Sequence, residues 1–79
     1  MKVRLLYFAS LADRAGRSEE MRDTASASAG DLYDEMSRVH AFAFARDRVR
    51  VAVNGALAAW DRPLADGDEV VFLPPVSGG

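Results

Sequence analysis

Apolar residues recur along this chain with two different periods, and the change of period marks out the elements. From Lys2 to Phe8 polar and apolar positions alternate at first, and then both sides become apolar. That pattern predicts a strand with Val3, Leu5 and Tyr7 on one face and Arg4, Leu6 and Phe8 on the other. Residues 9–15 are rich in Ala and Leu and stop at Gly16, which predicts a short helical turn ended by glycine. Residues 18–22 carry charges around a single Met21 and predict an edge-like strand.

Helical spacing begins next. Leu32, Met36 and Val39 recur at three- and four-residue intervals, with Ala43 as a further position. The predicted helix covers residues 29–40. Ser28 and Asp31 form a variant capping box at its start, the hydroxyl and the carboxylate both lying near free backbone N–H groups. Phe42 and Phe44 then seal its end. Residues 49–53 alternate again and run into Asn54-Gly55, a strong hairpin signal because both turn positions favour positive φ. Residues 56–59 form the return strand, and Asp66-Gly67-Asp68 is a turn. Residues 69–73 form a last strand, stopped by Pro74-Pro75, neither of which can donate to a ladder. The order is strand, strand, helix, strand, short strand, strand. One helix bracketed by strands implies an α+β fold, with the first and last strands adjacent at the sheet centre and the helix across one face. This is the ubiquitin-like β-grasp arrangement. It divides the chain into a domain over residues 1–75 and a free tail over residues 76–79.

The alternation assigns Val3, Leu5, Tyr7, Val51, Val53, Val70 and Phe72 to the face under the helix. Leu6, Phe8, Ala52, Leu57 and Leu73 fall on the other face, where nothing remains in so short a chain to cover them. A contiguous apolar patch of that kind is suited to docking a partner protein.

Composition narrows the functional classes. The chain has 79 residues, enough for one domain with a small core. Ten basic residues against twelve acidic ones give a net charge of −2, which argues against nucleic-acid binding. The absence of cysteine removes disulfides, thiolate zinc sites and cysteine nucleophiles. His40, the only histidine, reads as a helix C-terminal residue near the favourable end of the dipole rather than a metal ligand. No apolar run is long enough to span a membrane or to form a signal-peptide core, so the expectation is a small cytoplasmic domain. Glu19-Glu20 and Asp34-Glu35 read as solvent faces. Asp66, Asp68 and Glu69 read as a solvated turn without the calcium-loop spacing, and Trp60 as a half-buried packing residue. Arg46, Arg48 and Arg50 form a basic strip on alternate positions, able to meet an acidic partner.

The final Gly78-Gly79 carries the most chemistry. A terminal carboxylate can attack the α-phosphate of ATP to give an acyl adenylate, and a sulfur nucleophile can then displace AMP to leave a thiocarboxylate. Both steps need the chain end threaded into another protein's pocket. Glycine, without a Cβ, fits a narrow channel there. Pro74-Pro75 keeps the root of the tail extended and limits the entropy lost on insertion.

The segments Val51-Ala52-Val53-Asn54-Gly55, Asp61-Arg62-Pro63-Leu64-Ala65-Asp66-Gly67-Asp68-Glu69-Val70 and Phe72-Leu73-Pro74-Pro75-Val76-Ser77-Gly78-Gly79 resemble the small-subunit (MoaD) family of molybdopterin synthase. So does Leu5-Leu6-Tyr7-Phe8-Ala9, with Leu11 and Gly16. Ser77 stands where Thr is also common, and Gly55 sharpens a turn that other members make without glycine. The resemblance implies a sulfur carrier that is not itself the catalyst. Gly79 would be adenylated, converted to a thiocarboxylate, and donate sulfur to cyclic pyranopterin monophosphate in molybdenum cofactor biosynthesis. Gly78, Ser77, Val76, Pro75 and Pro74 would lie in the partner's channel, and Phe8, Leu57 and Leu73 match apolar contact positions. The implied partners are a MoaE-like large subunit, in a heterotetramer, and an E1-like adenylating enzyme of the MoeB type. That enzyme uses the ATP and magnesium, and the chain binds no cofactor of its own. The alternatives are a carrier for thiamine or tRNA thiolation, a ubiquitin-like modifier joined to lysines through Gly79, and an interaction module whose Gly-Gly is incidental.

Overall fold

The computed structural model describes residues 1–76. The elements run β1 (Lys2–Tyr7), α1 (Ala9–Ala15), β2 (Glu19–Asp23), α2 (Ala29–His40), a 3₁₀ turn (Arg46–Arg48), β3 (Arg50–Val53), β4 (Ala56–Ala58) and β5 (Glu69–Leu73). The five strands form one sheet in the order β2-β1-β5-β3-β4. β1 and β5 are parallel and central, and the other pairs are antiparallel. The parallel pair needs a crossover, and α2 lies within it. This is the α+β, β-grasp arrangement expected from the order of elements.

The local chemistry accounts for the boundaries. Ser28 Oγ accepts a hydrogen bond from the Asp31 N–H at 3.2 Å, so the N-terminus of α2 is capped as expected. Its other end is closed by Ala41 in the left-handed conformation (φ 57°), whose N–H bonds to Ser37 O. Asn54 (φ 52°) and Gly55 (φ 87°) make the tight turn between β3 and β4. The Asn54 side chain also links the hairpin to β5, accepting from Glu69 N and donating to Asp68 Oδ1, both at 2.9 Å.

The core lies between the sheet and α2. Val3, Leu5, Tyr7, Val51, Val53, Val70 and Phe72 are all buried, as the alternation requires. From the helix they meet Ala29, Leu32, Tyr33 and Met36. Phe42 and Phe44 are half-buried against this core at the helix end.

Several sequence-based expectations need correction. Val39 is 50% exposed and does not belong to the buried stripe. At about 100° per residue, the buried set of Ala29, Leu32, Tyr33 and Met36 is centred away from Val39 and toward Tyr33. Tyr33 takes that place, packing edge-on to Phe72 at 5.1 Å and donating its hydroxyl to Phe44 O at 2.6 Å. Ala43 is outside the helix, which ends at His40. The edge strand is shifted by one residue to Glu19–Asp23, and the return strand stops at Ala58.

Glu20, Asp34 and Glu35 are not idle solvent charges. Glu20 Oε2 lies 3.2 Å from His40 Nε2, tying β2 to the end of α2. Glu35 accepts from Thr24 Oγ1 (2.5 Å), Ser26 Oγ (2.8 Å) and Arg22 Nε (2.7 Å). Burial pushes the Glu35 carboxyl up, but these donors outweigh it and hold it below the ordinary carboxylate range. Asp34 pairs with Arg46, whose guanidinium holds that carboxyl down as well. Asp68 is likewise no simple solvated residue. It is buried and accepts from Ala65 N at 2.8 Å and from Asn54, which lower its pKa. Trp60 is half-buried as expected, with its ring N–H donated to Arg46 O at 3.1 Å.

Candidate docking face and the root of the tail

Strand register fixes which side chains share the open face of the sheet. Leu6 of β1 sits opposite Val71 of β5, Val71 opposite Ala52 of β3, and Ala52 opposite Leu57 of β4. Paired residues point to the same side, so these four make an apolar row running across four strands. The next row toward the end of β5 begins with Leu73, whose partner on β3 is Arg50. Phe8 follows Tyr7, the partner of Phe72, with extended backbone (φ −126°, ψ 152°), and therefore comes alongside Leu73.

Phe8 is 50% exposed and Leu57 is 66% exposed, while Leu73, Leu6, Val71 and Ala52 are partly covered by their neighbours. Leu57 stands out because its cross-strand neighbour Ala52 is too short to shield it. The patch is bounded at β2 by an ion pair between Arg4 and Glu19, 2.6 Å apart. Exposed Met21 lies beyond that pair, opposite Arg4.

The tail leaves from this face. Pro74 and Pro75 follow β5 directly and are half-buried, and Val76 is 91% exposed. A groove runs beside them, lined by Phe8, Leu57, Leu73, Pro74, Pro75 and Val76. The structure thus brings Phe8, Leu57, Leu73, Pro74, Pro75 and Val76 together. Ser77, Gly78 and Gly79 lie outside the described residues. Sequence reasoning omitted Val71 from this face, although the same alternation that buries Val70 turns Val71 outward. It also set the three arginines on alternate positions. Arg46 and Arg48 belong instead to the 3₁₀ turn, and only Arg50 is in a strand.

Chemically the face offers apolar area beside Pro74, Pro75 and exposed Val76. Among the described residues no three His, Asp or Glu side chains converge as a metal site, and no helix is long and apolar enough to cross a membrane.

The model of the ThiS family matches residues 5–79 of the chain. The chain belongs to the ThiS family. Among curated relatives of this ThiS-family chain is the molybdopterin synthase sulfur carrier subunit of Escherichia coli. The two are 34% identical over 85 residues, covering 98% of this chain and 99% of the relative. In structure it is similar to SAMP1 from Haloferax volcanii, with a TM-score of 0.83, 32% identity and full coverage of both chains. It also shares its fold with a component of the complex of subunits 1 and 2 of molybdopterin-converting factor from Helicobacter pylori. There the TM-score is 0.68 with 22% identity and full coverage of both chains.

Proposed function

We propose that this ThiS-family chain is the sulfur carrier subunit of a molybdopterin synthase. The observation that carries the reading is the apolar patch of Phe8, Leu57 and Leu73 surrounding the root of the tail. A partner that covers the patch receives the tail in the same movement. The length and identity shared with the Escherichia coli carrier subunit support the pathway. The Helicobacter complex supports a large-subunit partner for this fold.

In this mechanism the chain supplies a docking face and a carboxyl group, and its partners supply the catalysis. The Gly79 carboxylate attacks the α-phosphate of ATP on an E1-like enzyme, and pyrophosphate leaves. A persulfide sulfur then attacks the acyl carbon, and AMP leaves. Cleavage of the S–S bond by a second thiol frees the thiocarboxylate and leaves a disulfide on the donor side. Inside the large subunit the thiocarboxylate sulfur attacks a carbon of the cyclic pyranopterin monophosphate and displaces an oxygen leaving group. Water then hydrolyses the resulting thioester, leaving the sulfur on the pterin and restoring the Gly79 carboxylate. Two sulfurs per product require two tails, which fits a heterotetramer. The residues after Pro75 are narrow enough to thread, and Pro74-Pro75 restricts the free tail before insertion.

The test is intact-protein mass spectrometry after incubation with an E1-like adenylating enzyme, ATP and a sulfur donor. A mass gain equal to one oxygen replaced by sulfur, localised to Gly79 and absent when Gly79 is deleted, is expected. An unchanged mass, with an enzyme active on its own carrier, overturns the reading. The likeness to SAMP1, named a small archaeal modifier protein among the curated relatives, favours a second reading as a protein modifier. That reading predicts isopeptide conjugates of the chain in cells.

A further inference from the structure

The groove beside the tail root differs in charge from the rest of the molecule. The whole chain carries a net charge of −2. The groove is lined by Arg46, Arg48 and Arg50 with Asp47 as its one carboxylate, so its own balance is positive. Elsewhere on the domain, three arginines are matched with carboxylates, while Arg14, Arg38 and Arg62, which do not line the groove, make no ion pair among the described residues. Arg4 pairs with Glu19, Arg17 with Glu20 and Arg22 with Glu35. Arg46 in the groove is matched too, by Asp34.

Arg48 and Arg50 are the groove arginines left without such a partner. Both are exposed, and among the described residues neither makes an ion pair. The Arg48 guanidinium lies over the Phe44 ring at 5.2 Å, a contact that positions it without neutralising it. Arg50 is held on β3 opposite Leu73, the residue before the two prolines. Two unneutralised cations therefore flank the tail where it leaves the sheet, continuous with the apolar patch.

We propose that Arg48 and Arg50 form a recognition site for an acidic surface beside the tail-accepting channel of the adenylating enzyme. This rests on the carrier reading above. The ATP phosphates are not the counterpart. Between Pro74 and Gly79 the extended tail spans on the order of 17 Å, beyond the reach of an arginine at the root. Two cations on a chain of net negative charge are also too few for nucleic acid. Carboxylates on a protein surface remain. Both partners must capture the carrier and release it in every cycle, but the apolar patch is assigned above to the large subunit, which leaves the cations for the adenylating enzyme. Charges at an interface rim suit that task, because they accelerate encounter more than they slow departure.

The test measures adenylation as pyrophosphate release against carrier concentration, using a MoeB-type adenylating enzyme from the same organism. Wild type is compared with R48E/R50E and R48K/R50K at low and high salt, and affinity for the large subunit is measured in parallel. For R48E/R50E we expect KM to rise about tenfold or more at low salt with kcat unchanged, the difference shrinking at high salt. R48K/R50K, which keeps the charge, is expected to stay within about threefold of wild type. Should charge reversal prevent folding, R48Q/R50Q replaces it, with a KM increase of about threefold expected. Wild-type kinetics for the charge-reversed or neutral variant overturn the proposal. An equal or larger loss of affinity for the large subunit overturns its assignment to the adenylating enzyme. Failure of the wild-type chain itself to be adenylated is a separate result, which removes the carrier reading.

Discussion

Truncating Leu57 to Ala should weaken docking strongly while leaving the domain nearly as stable as before. Full burial of a leucine side chain is worth about 1.5–3 kcal/mol. Leu57 is 66% exposed in the isolated chain, so about two thirds of that, roughly 1–2 kcal/mol, remains to be gained when a partner covers it. At about 1.4 kcal/mol per decade, Leu57→Ala should raise Kd for the large subunit roughly 5- to 30-fold. Phe8 is 50% exposed and should contribute about 0.8–1.5 kcal/mol by the same reasoning. Phe8 occupies the N-cap position of α1 without a side-chain hydrogen bond, so its truncation removes no cap. By the same measure the share already buried is worth about 0.5–1 kcal/mol at Leu57 and about 0.8–1.5 kcal/mol at Phe8, so the truncations should lower Tm by about 2–8 °C and about 3–12 °C. Phe72→Ala, one residue from Leu73 but fully buried, should cost about 3–5 kcal/mol and unfold much of the protein. Calorimetric titration of the large subunit, paired with thermal melts of each variant, checks all three. A change in Kd below twofold for the Phe8, Leu57 double variant would refute the docking role. A Tm loss above about 8 °C for Leu57→Ala would show instead that the residue is structural.

The Glu35 carboxyl is held below its ordinary value of 4.5 in the folded state, so its contribution to stability is present above that pH and is lost as pH falls through the folded value. Glu35→Gln should lower stability at neutral pH and flatten the acid limb of a urea-derived stability profile between about pH 5 and 2; profiles for variant and wild type that stay parallel would contradict this. Gly30 sits where an added Cβ would meet Arg46 Nη1 at 2.6 Å and Trp60 O at 3.1 Å. Gly30→Ala should therefore destabilise by about 1 kcal/mol net, the steric cost exceeding the gain of about 1 kcal/mol in helix propensity. A higher Tm for that variant would mean that the Trp60 segment yields easily.

Most of the fold was legible because alternation and turn chemistry agree. Val3, Leu5 and Tyr7 could be assigned inward only if Val70 and Phe72 also pointed inward, and the Asn54-Gly55 turn ties β3 and β4 to one register. The face opposite the helix then followed, including Phe8, Leu57 and Leu73. Long-range polar pairing was not legible. Nothing local in Asp34-Glu35 shows that one carboxylate will meet Arg46 across twelve residues while its neighbour gathers Thr24, Ser26 and Arg22. Tyr33 was missed for a related reason. Its burial depends on which side of α2 the sheet approaches, and a three- and four-residue spacing from Leu32 fits Val39 equally well. The 3₁₀ turn at Arg46–Arg48 was not legible either, since a run of arginines on alternate positions does not reveal where the chain turns.

Under the proposed carrier function, the position of β5 lets a chain this small offer its terminus to two partners in turn. β5 lies between β1 and β3, with ladder hydrogen bonds on both sides, so a pull on the tail is borne by a strand paired along both edges. Alternate residues of that strand serve different ends: Val70 and Phe72 anchor it in the core, while Val71 and Leu73 turn to the open face. Pro74 and Pro75 then end the pairing at a fixed place. Docking at Leu73 and threading beyond Pro75 are therefore mechanically joined but do not borrow from the core. The edge strand β2, farthest from the tail, is fastened separately through Glu20 to His40 and through Arg22 to Glu35. On the proposed carrier reading, loading and unloading of the terminus would then not require opening the fold that presents it.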